Sequence, residues 1–348
     1  MKLSSVHRAV SAGLAAAACV AAQAATPRYH VVDLGLATTP TGINSAGEVS
    51  GSDSAGAAAV YRDGAWSPLK TWVKQGGRGG RTTGINDKGT VSGYLDTYPF
   101  RAVIWKASGE RVIIAPVDGV AENQTQANAV AADGTVVGDE LSATGFPSSV
   151  AFVWKAGVGT SLGVPPGGQT SDARAINAAG QVAGRAVFAG GSDAHAFVLA
   201  AGAWRDLGTL GGPSSVANGL DAQGRAVGCA DTDARGDGHA FLHDGTTMID
   251  LGTAGGVSSC AVAIDPAGTI VGGLMDEKKQ SHAFVYADGR MQKVGPLVDN
   301  PGDWTFWEAL GISDDGRIVG LGWTGTSEHV FMLVPLAPQS SAPASPAR

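Results

Sequence analysis

Apolar and polar residues alternate along this chain in short runs broken by glycine, and the runs recur. The clearest block has ten residues: a small residue, an apolar one, usually Asn or Asp, two variable positions, Gly, and then an apolar strand start ending in Gly. It reads GINSAGEVSG from Gly42, GINDKGTVSG from Gly84, AVAADGTVVG from Ala129 and AINAAGQVAG from Ala175. It continues as GLDAQGRAVG from Gly219, AIDPAGTIVG from Ala263 and GISDDGRIVG from Gly311. The apolar second positions, from Ile43 to Ile312, are spaced by 42, 45, 46, 44, 44 and 48 residues. An Asx or Ser side chain caps a turn, and a Gly three residues later takes the left-handed position of a hairpin. Each block is therefore two strands joined by a tight turn.

A third strand follows each block after a variable loop: AAVYRD, RAVIWK, VAFVWK, HAFVLA, HAFLHD, HAFVYA and HVFMLV. A second tight turn leads to a fourth strand such as AWRDLG or MIDLG. Four short antiparallel strands per period of about 45 residues fit a propeller blade. The seventh copy lacks its fourth strand, while RYHVVDLGL near the start of the chain matches it. The fold expected is all-β, a seven-bladed β-propeller over residues 25–335 whose ring is closed by the N-terminal strand. Closure removes sheet edges. A β-solenoid-like array, which would want capping repeats, and an eight-strand-sheet arrangement are the alternatives.

The blocks HAF, DLGTLGG and AINAAGQVAG resemble the HAF-repeat family of probable bacterial extracellular repeat proteins. The resemblance covers nearly all of Arg28 to Pro335, and Ala57, Arg101 and Val150 replace the histidine in the first three copies. It implies export and a repeated β fold, and it brings no activity, ligand or catalytic residue with it.

The flanking segments agree with export. Lys2 and Arg8, the apolar run Ala9 to Val20 and the small-x-small pattern Ala22-Gln23-Ala24 suit a signal peptide over residues 1–24. The apolar run is shorter than the ~20 residues that span a bilayer, so no transmembrane segment is expected in the mature chain. Residues 336–348 form a Pro/Ser/Ala tail expected to be disordered. Loss of Lys2 and Arg8 leaves 22 Lys and Arg against 31 Asp and Glu, a net charge of −9. That surface repels phosphate backbones, and the glycine-broken basic cluster Lys70 to Arg81 is too short to reverse it. Nucleic acid is not an expected partner. The location expected is secreted, extracellular or periplasmic.

Residues repeated in most blades are read as framework. His195, His239, His282 and His329 stand apart around a ring, whereas metal ligands must converge on one ion. Each is expected to hydrogen-bond backbone at the start of a third strand. Asp33, Asp206 and Asp250 of DLG are framework too. Chemistry should sit on the face carrying the second-to-third and blade-to-blade loops, because those differ in every copy.

Three features stand out there. Asp303, Trp304, Phe306, Trp307 and Glu308 lie in the longest inter-blade step and suit a sugar platform, with inter-blade packing of the aromatics as the alternative. Asp231, Asp233 and Asp237 alternate like a calcium loop, although Arg235 interrupts them. Cys229 and Cys260, placed at the end of one strand and just before another in neighbouring blades, are expected to bridge, with two buried thiols as the alternative. No catalytic residue and no cofactor other than that calcium is assigned. The function expected is an exported binding module whose partner is an extracellular glycan or cell-surface protein. The alternatives are a polysaccharide hydrolase or lyase using loop carboxylates (Asp96, Asp139, Glu140, Asp231, Asp303, Glu308), and a purely structural envelope protein.

Overall fold

The computed structural model describes residues 28–36, 39–53, 55–71, 79–143, 145, 148–233 and 237–336. The expected signal peptide, the tail from residue 337 and residues 72–78 of the basic cluster lie outside them.

Seven four-stranded antiparallel sheets form a seven-bladed propeller. Blade four is representative, with strands Ser171–Ile176, Val182–Val187, Ala194–Ala200 and Ala203–Asp206. First strands contact the first strands of adjacent blades and so surround the axis. The first-hairpin turns follow the expected chemistry. Asn44 Oδ1 accepts from the N–H groups of Ala46 at 3.1 Å and Glu48 at 2.9 Å, and Gly47 sits at φ +79°. The same side chains also join blades: Asn44 Nδ2 donates to the Asn86 carbonyl at 3.1 Å, and Asn177 Nδ2 to the Asp221 carbonyl at 2.8 Å.

Apolar packing lies between blades. The third-strand phenylalanines Phe152, Phe197, Phe241, Phe284 and Phe331 are essentially inaccessible. Beside them the second strand keeps a glycine because no room exists for more. A Cβ on Gly184 would lie 1.9 Å from the Asp172 carbonyl oxygen. Hydroxyls seal the joints between blades. Ser215 Oγ accepts from the Ala196 N–H at 2.7 Å and donates to the Gly208 carbonyl at 2.5 Å; Ser171 and Ser259 repeat this arrangement.

The repeated histidines meet a different partner from the expected backbone. His195 Nδ1 lies 3.0–3.1 Å from both carboxylate oxygens of Asp206, and His239 stands likewise against Asp250. A carboxylate only accepts, so Nδ1 carries the proton. Each aspartate also caps the next turn, as Asp206 Oδ1 accepts from Gly208 N–H at 2.8 Å. The clasp therefore fixes third strand, fourth strand and blade exit together.

The last blade uses this clasp to close the ring. Its strands are Thr305–Ile312, Ile318–Trp323 and Glu328–Pro335, and the outermost position is filled by Tyr29–Asp33. Tyr29 pairs with Pro335 and Asp33 with Phe331, while His329 Nδ1 binds Asp33 Oδ1 at 2.8 Å. Beyond the strand, the Asp299 N–H donates to the Tyr29 carbonyl at 2.9 Å. Burial pushes the Tyr29 hydroxyl pKa up to about 12.

Two glycine substitutions separate packing from turn strain. Gly184→Ala should cost roughly 3 kcal/mol, the upper end for overpacking a tight core. Gly180→Ala, at φ +75° with open space around it, should cost only the ~1–2 kcal/mol of a left-handed L residue. Equal losses in denaturant melts would contradict this ordering.

Candidate functional site

The loops of the variable face meet in one groove of about 1010 Å³ over blades five, six and seven. Blade five has strands Ser215–Leu220, Ala226–Asp231, Gly238–His243 and Met248–Asp250. Blade six has Ser258–Ile264, Ile270–Met275, Ser281–Ala287 and Arg290–Lys293. Second-strand ends, third-strand starts and first-strand starts all open into the groove, which is the end of the propeller that sequence variability marks.

The Cys229–Cys260 disulfide joins blades five and six there, with Cα atoms 4.7 Å apart. Both cysteines lie within their strands, rather than at the end of one and ahead of the other. Cys229 pairs with Ala240 and Cys260 with Gly273, which puts the cysteines at facing positions of adjacent sheets. Beneath them, Asn218 Nδ2 donates to the Ala261 carbonyl at 3.0 Å.

Blade seven departs from the others at this spot. All seven first strands shift register once near their middle, but Thr305–Ile312 shifts a second time between Phe306 and Glu308. The extra residue is Trp307. A bulge of this kind re-aims side chains, and it divides the aromatic cluster of the sequence. Phe306 is buried, stacked 5.7 Å from Trp304 and edge-on to Phe331 at 5.0 Å. Trp304 also meets Phe331 and His329 of the same blade, and both aromatics pack in the apolar cluster that joins blade seven to Val271, Ala283 and Val285 of blade six. Trp307 turns instead to the groove and stacks on the partly exposed Trp323, centroids 6.0 Å apart and planes within 20°. Asp303 is exposed beside Gly325 and does not line the groove.

Glu308 lines it. Gly273 stands opposite, and a Cβ there would come within 3.3 Å of the Glu308 side chain, so the missing side chain makes the room. Partial desolvation by the groove walls raises the pKa of its carboxyl, which stays open to the groove, and no described residue donates to it. Asp231 and Asp237 line the same groove. Asp231 Oδ2 accepts from Ser214 N–H at 3.1 Å. Residues 234–236 of this loop lie outside the described set. Among the described residues no three His, Cys, Asp or Glu side chains gather as a metal-binding group.

His282 is the residue that sequence reasoning missed. It was grouped with the framework histidines, yet it lines the groove. Register explains why. Lys293 occupies the fourth-strand position that Asp206 and Asp250 occupy in blades four and five. A lysine cannot accept from the ring, so His282 uses Nε2 to reach Asp276 Oδ2 at 2.9 Å in the variable loop. The missing aspartate, visible as MQKVG where other copies have DLG, was the available signal. Gln280, Ser258 and Thr305 also line the groove, and Met275 gives it an apolar rim.

The remaining loop acids lie elsewhere. Asp96 is in the second-to-third loop of blade two. Glu140 is buried, accepting from Val117 N–H at 2.6 Å and Asn123 Nδ2 at 3.0 Å. Asp139 is buried at the joint of blades three and four, accepting from Asn128 Nδ2 at 2.7 Å. Burial, with the Asp172 charge nearby, pushes its pKa up to about 6.

No family model matches the chain, and no curated protein matches it. Solved structures do. The chain is similar to YCF48 bound to D1 peptide, at 13% identity and a TM-score of 0.50, covering 92% of this chain and 99% of that one. A prolyl endopeptidase is similar at 14% identity and a TM-score of 0.52, covering 88% of this chain and 50% of the other. The acylaminoacyl peptidase of Pyrococcus horikoshii is similar at 10% identity and a TM-score of 0.52, covering 89% and 52%. The chain thus spans about half the length of either peptidase. At such identities the likeness is one of fold alone: this is a β-propeller chain.

The disulfide closes a sequence separation of 31 residues. By loop entropy, the Cys229→Ser, Cys260→Ser double variant should lose roughly 3–4 kcal/mol. An unchanged urea midpoint would show that the tie bears no load. Asp139 holds its proton more tightly folded than unfolded. Its effect is therefore neutral below the ordinary value of 3.8 and destabilising as pH rises towards 6. Asp139→Asn should raise stability at pH 7 by up to about 3 kcal/mol, with the gain gone below about pH 4. A pH-independent difference between variant and wild type would refute that assignment.

Proposed function

We propose that this chain is an exported HAF-repeat protein that acts as a binding module, and that its ligand is a glycan held in the groove over blades five to seven. The observation that carries the reading is the second bulge of blade seven. It takes Trp307 out of the inter-blade packing that keeps Trp304 and Phe306, and turns it to the groove against Trp323. An aromatic face of that kind suits the C–H face of a sugar ring. Glu308, Asp231, Gln280, Ser258 and Thr305 along the same groove supply acceptors and donors for hydroxyls. A few placed polar groups on a rigid concave surface are the general make-up of a small-ligand site. Export rests on the sequence features of residues 1–24. Among the described residues no helix is long and apolar enough to cross a membrane.

One observation favours a second reading, glycoside cleavage. Glu308 has a raised pKa and shares its groove with Asp231, and a proton donor beside a second carboxylate is what such hydrolysis needs.

Screening the mature protein against immobilised oligosaccharides separates the readings. Trp307→Ala should weaken any binding found at least tenfold while leaving the melting temperature within a few degrees. Trp304→Ala, by contrast, should lower the melting temperature. Retention of no glycan would reject the binding reading. Release of reducing ends by the wild type, lost in Glu308→Gln, would replace it with the hydrolase.

A further inference from the structure

The acids of the groove say more than that hydroxyls are welcome. Asp231, Asp237 and Glu308 line it, and no Lys or Arg does so among the described residues. The imidazole of His282, which also lines the groove, is bonded through Nε2 to Asp276. Glu308 is the telling member, because it occupies a slot that other blade joints fill differently. Reading the facing positions by register, the joint of blades three and four holds Asp139 and Asp172 near Arg174 and Arg185. The joint of blades five and six holds the disulfide. The joint of blades six and seven holds Gly273 and Glu308, and nothing described neutralises that carboxylate.

Glu308 is open to the groove and has no hydrogen-bond partner among the described residues, so its lone pairs are available to a ligand. A ligand that supplies a charge-assisted donor there gains a stronger bond than a neutral hydroxyl can make. The stacked pair Trp307 and Trp323, on the same strand ends, adds a surface on which a cation is attracted to aromatic rings. Uronates, sialates, sulfated sugars and phosphates would instead meet three carboxylates and, among the described residues, no Lys or Arg.

Resting on the glycan reading above, we infer that the groove selects sugars bearing free amino groups, with the ammonium placed against Glu308 and its ring on Trp307. Recognition is then stronger for an unacetylated amino-sugar oligomer than for its N-acetylated counterpart, which has the same ring and linkage without the charge.

The test is calorimetric titration of the mature protein with four oligomers of matched length: glucose, N-acetylglucosamine, glucosamine and a uronate. A lysine oligopeptide serves as a fifth ligand, and the pH is one at which the amines are protonated. The glucosamine oligomer should bind at least tenfold more tightly than the N-acetylated one at low salt, and the uronate should not bind. Glu308→Gln should weaken the glucosamine oligomer far more than the N-acetylated one and so remove most of that preference, whereas Trp307→Ala should weaken both alike; high salt should shrink the preference in the wild type. Equal affinity for the acetylated and free-amine oligomers would overturn the charge inference and leave the glycan reading standing. Binding of the lysine peptide with no sugar bound would overturn both.

Discussion

A four-stranded sheet cannot stand alone in water with two open edges and two apolar faces, and each blade of this molecule is such a sheet. The faces are buried by stacking blade on blade, but stacking alone leaves a first and a last blade. The pairing of Tyr29–Asp33 with Glu328–Pro335 removes that difficulty by making the last blade from both ends of the ring. Everything else follows from that closure. The inter-blade phenylalanines have a neighbour on every side, and the first strands can surround an axis. The variable loops project from a frame that does not splay. The His329–Asp33 contact is the same clasp used in blades four and five, employed here across 296 residues of sequence.

The clasp behaves as a unit within the chain. Blades four, five and seven have both the histidine and the aspartate. Blades one, two and three have neither: the positions that correspond to the histidine and the aspartate hold Ala57 and Pro68, Arg101 and Ile113, Val150 and Ser161. Blade six alone retains the histidine and has lost the aspartate. A lone histidine has no reason to stay with the strand, and His282 has moved to Asp276 at the groove. The exception to the framework thus lies where the candidate site lies, beside the disulfide and the additional bulge.

The architecture was legible in the sequence because its causes are local and repeated seven times: the Asx-capped turn, the left-handed glycine, and the fourth-strand segment misplaced to the start. The variable face was legible for the same reason, since topology alone puts the second-to-third and inter-blade loops together. Individual side chains on that face were harder to read. Nothing in DNPGDWTFWE announces that Trp307 is the bulged residue, because the bulge depends on how Phe306 and Glu308 meet Gly322 and Leu321 across the blade. Two neighbouring aromatics therefore went to the core while the third went to the groove. The histidine partner was missed for a similar reason. The aspartate is eleven residues away in sequence, and only the register of third and fourth strands brings the two together.

The joints between blades show how the frame and the candidate site constrain each other. Where both facing positions can be filled by hydrophobic or hydrogen-bonded groups, the joint seals without further help. Around the groove that solution is lost twice over. Gly273 removes a side chain opposite Glu308, and at the joint of blades six and seven Phe306 takes the place where Ser259 and Ser215 clasp the preceding blades. An open, polar, partly desolvated hollow destabilises its surroundings, and a covalent bond adjacent to it offsets that loss without filling the space. The Cys229–Cys260 bridge supplies this at the neighbouring joint. It holds blades five and six together where they border the hollow, while Trp307 stays stacked on Trp323 at the groove and Glu308 keeps no hydrogen-bond partner among the described residues.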